Sequence, residues 1–277
     1  MAPVRNWFQF AVLAAVTMAT VTTALADPAY IAGHGDIGVA FHDEGGGSLE
    51  LHYHLIGTGT NLPTDPALYD GGVISLGTYI GFEPAHPGAW GANEIKTVVP
   101  AAAERTNPNA NIRNALGISG TDSTDSYWRL PQTNSAGMPF LGIATDDLAE
   151  DAGTWSDITF ALTAVSGPGN FALWEIDSES NFNLYWQSAG GLGPSDVITL
   201  TSNQHAHFVW GFSEPGTYGL TIQAAGTRTL AGPPTLYTSS PETFTFQVVP
   251  EPGSVILAGI GCLGACGGSW LRRRRRG

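Results

Sequence analysis

The chain has 277 residues, and its 36 Gly and 18 Pro make about a fifth of it backbone punctuation, against ~12% in an average soluble domain. Long helices, coiled coils and, without a three-residue Gly period, collagen are excluded; a charged content of 13% excludes a charge-rich disordered chain. Residues 27–254 hold five basic side chains against all 24 carboxylates, a charge of −19, which repels phosphate backbones and argues against nucleic acid as a partner.

In chain order, Arg5 precedes an apolar run from Trp7 to about Ala19, and Ala24-Leu25-Ala26 supplies a small-x-small cleavage pattern. Residues 1–26 therefore read as a signal peptide removed by signal peptidase; a buried N-terminal helix would need a polar face that this segment lacks. Runs of period two then recur between Gly, Pro, Asn and Asp clusters. They predict strands over Ile37–Phe41, Ser48–Leu55, Ile158–Val165, Phe171–Ile176, Phe182–Trp186, Val197–Leu200, His205–Phe212, Thr217–Gln223 and Thr243–Val248. Residues 57–71 and 100–126 read as long loops, the second with a short helix around Ala101–Arg105. Cys262 and Cys266 both lie near the C-terminus, so the body has no disulfide and must be held by its core, with or without a metal.

The predicted fold class is all-β, an antiparallel β-sandwich. Glu214-Pro215-Gly216-Thr217-Tyr218 looks like the corner leading into the penultimate strand of an immunoglobulin-like sandwich, with Leu220 where the usual Cys would stand. Residues 151–249 then form the Ig-like half, and residues 27–150 an N-terminal β region packed against it.

At the far end, Val249-Pro250-Glu251-Pro252-Gly253-Ser254 is followed by seventeen uncharged residues, 255–271, and by Arg272 to Arg276. Seventeen residues is the lower limit for a transmembrane helix, and the arginines would keep its end cytoplasmic. Residues 250–277 resemble the PEP-CTERM sorting signal of bacterial surface proteins, with Pro250, Glu251 and Pro252 as the motif. The resemblance implies recognition by an exosortase, processing near the motif, and delivery to the cell surface, envelope or extracellular matrix. A plain single-pass anchor is the alternative.

Within the body, Tyr127-Trp128-Arg129-Leu130-Pro131-Gln132, Phe140-Leu141-Gly142-Ile143, Ser166-Gly167-Pro168-Gly169-Asn170-Phe171-Ala172-Leu173-Trp174 and His205-Ala206-His207-Phe208-Val209-Trp210-Gly211-Phe212 together resemble the choice-of-anchor M domain, a relative of bacterial surface-anchored repeats. The resemblance covers residues 31–248. It implies a surface binding protein, in a group linked to transporter-associated binding proteins, with an unidentified small ligand or metal as its partner.

Seven histidines are the one constellation with chemistry: His34, His42, His52, His54, His86, His205 and His207. His52 with His54, and His205 with His207, are two apart, so each pair shares one face of its strand while Leu51, Tyr53 and Leu55, or Ala206, Phe208, Trp210 and Phe212, take the other. The apolar face belongs on the core, which turns both pairs toward solvent or a second layer. Imidazole is the commonest Zn²⁺ ligand, and three of them with a carboxylate complete a tetrahedral site. The resemblance favours His34, Asp36, His205 and His207 as that set; His52 and His54 are a second tier, and a hydrogen-bonded polar network is the alternative.

Other chemistry is sparse. There is no Gly-x-Ser-x-Gly elbow and no phosphate-binding Gly loop with Lys. Asp146, Asp147, Glu150 and Asp151 lack the spacing of a Ca²⁺ loop and read as a solvated turn; Tyr185 and Trp186 read as packing residues in preference to a sugar platform. Three functions remain open: a non-catalytic, metal-assisted surface binding protein, a structural component of the envelope or matrix, and a metal-dependent hydrolase using a base such as Glu214.

Overall fold

The alternating segments do form strands. The computed structural model describes residues 29–43, 46–56, 89–93 and 95–250. The expected signal peptide, the loop at 57–71, His86, and the sorting tail beyond Pro250 with its span 255–271 lie outside them. Among the described residues no helix is long and apolar enough to cross a membrane.

In chain order the strands are β1 (Ala29–Tyr30), β2 (Gly33–His42), β3 (Ser48–Ile56), β4 (Ala89–Gly91), β5 (Lys96–Val99) and β6 (Glu104–Thr106). A short helix, α1 (Ala110–Leu116), precedes β7 (Ser126–Leu130) and β8 (Pro139–Ala144). There follow β9 (Thr154–Ser166), β10 (Phe171–Ile176), β11 (Phe182–Gln187), β12 (Val197–Leu200), β13 (His205–His207), β14 (Val209–Phe212), β15 (Gly216–Thr229), β16 (Thr235–Thr238) and β17 (Glu242–Val248). All nine predicted strands are present. The helix stands at 110–116, not 101–105, where a 3-10 turn (Ala101–Ala103) runs into β6. Asn109 caps α1 by accepting a hydrogen bond from the Ile112 amide at 3.0 Å, and Gly117 ends it at φ 61°.

These strands build a seven-stranded sheet, β1-β5-β17-β15-β9-β12 with β16 also on β15, and two five-stranded sheets, β11-β10-β14-β7-β6 and β13-β8-β2-β3-β4. Pairing is mostly antiparallel; β1–β5, β5–β17 and β2–β8 are parallel. Along β15 every second residue from Tyr218 to Arg228 is buried, and on β17 Phe244, Phe246 and Val248 face the same core. Phe246 stacks on Trp210 of one five-stranded sheet with ring centres 5.3 Å apart, and Phe244 meets Tyr53 of the other at 5.0 Å. The two smaller sheets therefore lie side by side on one face of the large one, giving a sandwich with a divided second layer.

Each sheet takes strands from both sides of residue 150. β5 lies in the large sheet beside β17, β7 pairs with β14, and β13 closes the edge of the sheet that holds β2 and β3. The corner at Glu214 forms as expected: the Tyr218 hydroxyl donates to the Glu214 carbonyl at 2.9 Å. Trp186 is fully buried, in agreement with its reading as a packing residue.

The run 205–212 reads in the sequence as one strand but breaks at Phe208, with His205–His207 pairing with β8 and Val209–Phe212 pairing with β10 and β7. One piece of chain thus joins the two smaller sheets, and the Trp210 indole N–H donates to the Leu141 carbonyl of β8 at 2.9 Å across that junction.

Candidate metal centre

The histidine-bearing sheet sets out its chemistry in rows. Across it, His207 aligns with Gly142, Gly142 with Asp36, and Asp36 with His54; one row along, His205 aligns with Ala144, Ala144 with Gly38, and Gly38 with His52. His34 shares a strand face with Asp36, two residues away. Residues in register on neighbouring strands put their side chains on the same face, so these histidines and Asp36 all project from one side. The other side carries Ile37, Leu51, Tyr53 and Ile143 into the core.

Two glycines clear the floor between them. A Cβ at Gly142 would stand 2.2 Å from Asp36 Oδ1 and 2.9 Å from His207 Nδ1, so any side chain there would close the gap across which Asp36 and His207 approach. At Gly38 a Cβ would lie 3.0 Å from His52 Nε2.

His34, His205 and His207 each direct a ring nitrogen to a common region, with those nitrogens all within 4.8 Å of one another. His34 Nε2 and His207 Nε2 are 3.0 Å apart, and Asp36 Oδ2 is 3.5 Å from His34 Nε2. In a tetrahedral zinc site with bonds of ~2.0–2.1 Å, ligand atoms stand about 3.3–3.4 Å apart. His34 and His207 are near that spacing, and His205, the exposed member of the triad, has the freedom to close in. Phe140 stacks on His207 with ring centres 3.6 Å apart. The Tyr30 hydroxyl donates to the Gly33 carbonyl at 2.6 Å and accepts from the Phe140 amide at 3.1 Å, pinning the starts of β2 and β8 together.

The electrostatics fit a cation. Burial, reinforced by His34 and His205, lowers His207 to about 4, and burial with His205 and His54 lowers His34, so both imidazoles are held in the neutral, ligating form near neutral pH. Asp36 has no exposed surface, and neither of its oxygens has a hydrogen-bond partner. Burial, with Asp146 and Asp147 adding to it, raises its carboxyl to about 7. A buried carboxylate without partners is costly unless a cation or proton compensates it.

Two residues of the centre read in the sequence as part of a solvated turn, and the structure corrects this. Asp146 and Asp147 lie on a 3-10 turn (Asp146–Glu150) that folds over the histidine face. Asp147 Oδ2 is 2.8 Å from His52 Nε2, its Oδ1 is 3.6 Å from His54 Nδ1, and Asp146 Oδ2 is 3.5 Å from His205 Nδ1. His52, only 4% exposed, is therefore covered by that second layer. The signal available in the sequence was position: the two aspartates directly follow the strand that lies between β2 and β13. Asp151, from the same acidic run, instead makes a two-pronged ion pair with Arg228, at 2.7 and 2.6 Å.

Glu214 is not at this site. It lies just past the 205–212 run, beside Gly169 and the Tyr218 corner, up to about 23 Å along the chain from His207 at ~3.3 Å per residue. The chain matches no known family model, no curated protein and no solved structure.

Proposed function

We propose that this is an exported cell-surface protein that binds a transition-metal ion of the zinc type without catalysing a reaction, through His34, His205 and His207 with Asp36 as the carboxylate. The observation that carries the reading is the convergence of three imidazoles, two of them 173 residues apart in sequence, beside a fully buried carboxylate without a hydrogen-bond partner. Three imidazole nitrogens and one carboxylate suit zinc better than calcium or magnesium, which take oxygen ligands. The resemblance of residues 31–248 to the choice-of-anchor M domain and of residues 250–277 to a PEP-CTERM signal supports placement at the surface after exosortase handling. Glu214, the base named for a hydrolase, lies away from the histidines.

The test uses the purified full chain. Elemental analysis should find zinc at a fixed stoichiometry, and added zinc should raise the melting temperature by several degrees because the ion binds the folded state alone. His207→Ala should lose the zinc held by the three histidines and the part of the shift that this zinc causes, while melting like wild type in chelator. A wild-type protein without stoichiometric metal, whose melting is unmoved by zinc or chelator, overturns the reading and leaves the structural-component alternative in its place.

A further inference from the structure

We propose that the same sheet face holds a second divalent cation, between Asp36, His54 and Asp147, so that the Asp36 carboxylate is shared by two ions. This rests on the metal-binding reading and deepens it. Asp36 and His54 are directly opposed across β2 and β3. Such a pair has its Cβ atoms ~5 Å apart on one face, a separation from which a carboxylate oxygen and an imidazole nitrogen both reach an ion at ~2.0–2.2 Å.

Three observations mark this second position. His54 Nδ1 is buried without a hydrogen-bond partner, although Asp147 Oδ1 lies 3.6 Å away; that distance is long for a hydrogen bond and close to the edge of a coordination polyhedron. Asp147 is fixed from its other side by His52, through Oδ2 at 2.8 Å, the arrangement by which a neighbour orients a ligating carboxylate. Finally, Asp36 is flanked in its row by the Gly142 gap toward His207 and by His54 on the other side. A carboxylate has lone pairs enough for two ions, and neither oxygen makes a hydrogen bond among the described residues, the His34 contact at 3.5 Å belonging to the first ion's ligand set. Three carboxylates, Asp36, Asp146 and Asp147, then face two ions in a body with few competing cations. His52 is here a positioning residue that acts through Asp147.

The experiment is a Co²⁺ titration of the metal-stripped full chain, followed by visible absorption and electron paramagnetic resonance. Wild type should saturate at two equivalents, and the doubly loaded protein should show less than twice the single-ion resonance because the shared carboxylate couples the ions. His54→Ala and the isosteric Asp147→Asn should each saturate at one equivalent with the first binding event kept; His207→Ala should lose the other equivalent; Asp36→Asn should weaken both at least tenfold. Circular dichroism identifies any variant that fails to fold, and Asp147→Asn then decides. Saturation of wild type at one equivalent, or two equivalents retained in both His54→Ala and Asp147→Asn, overturns the second site and leaves the first intact. No binding at all overturns both.

Discussion

Asp36 shows how a side chain can work against its own fold until it is partnered. Its carboxyl is raised to about 7 because burial and the fields of Asp146 and Asp147 oppose ionisation. The folded state thus holds that proton more tightly than the unfolded chain, and stability from this group falls as pH rises from about 4 to about 7. His207 has the opposite sign: its folded value of about 4 lies below the ordinary 6.5, so stability is lost as pH drops through that window. In metal-stripped wild type the two slopes offset each other between about pH 4 and 6.5. Asp36→Asn removes one of them. Its stripped form should be more stable than wild type at pH 8, by on the order of 2–4 kcal/mol, and so melt higher, and the advantage should vanish near pH 4. With zinc present the order should invert. Equal melting of the two stripped proteins at pH 8 would show that Asp36 carries no charge penalty. The pairs His52–His54 and His205–His207 could be read from the sequence because imidazoles two apart on a strand share a face, whereas His34 and Asp36 joined the set through the family resemblance. Gly142 and Gly38 were not legible, since their contribution is the absence of a side chain, and Asp146 and Asp147 look like any acidic turn until the strand they follow is placed.

At the scale of elements, legibility follows the clarity of alternation. β15 and β17 expose one face and bury the other over their length, and both are plain in the sequence. β8 is buried at five of its six positions and lies between two strands; a short, nearly continuous apolar run gives no period to read. β6 and β7 fall in or beside the stretch rich in turn formers, where Arg113 organises the chain by donating to the carbonyls of Pro108, Gly120 and Asp122 and pairing with Asp125. In β9 the alternation that buries Ile158, Phe160 and Leu162 shifts by one before Trp155, because Asp157 at φ 52° sits in a break of register with β15. The Tyr218 corner could be read from the likeness of Glu214-Pro215-Gly216-Thr217-Tyr218 to the corner of an immunoglobulin-like sandwich. Tyr218→Phe keeps the ring against Phe212, 4.9 Å away, but removes the bond to the Glu214 carbonyl and should cost about 1–2 kcal/mol in denaturant unfolding. Zinc stoichiometry should stay unchanged; a loss of zinc would mean that the corner and the metal centre fold as one unit.

For the whole molecule, the sequence conveyed class better than connection. An all-β sandwich follows from composition and period, whereas the interleaving of residues from before and after position 150 in all three sheets depends on long-range pairing that no local pattern encodes. The tail belongs to this scale too. If residues 250–277 are a sorting signal, mass spectrometry of the surface form from the native host should find a C-terminus near Pro250–Gly253, and peptides containing Arg272 onward in that form would refute the cleavage.

The sheet that carries the histidines is completed only when β13 docks on β8, and β13 is continuous with the strand that brings Trp210 into the main core. His34 is synthesised early and waits for residue 207, so no short contiguous fragment of the chain has the ligand set. A polypeptide threaded through a membrane unfolded would therefore cross it empty, and its ion would come from the compartment where folding ends. If the chain is exported unfolded and binds the proposed ion, occupancy is a record of the last step in its maturation, and the ion reports on the far side of the membrane and not on the cytoplasm.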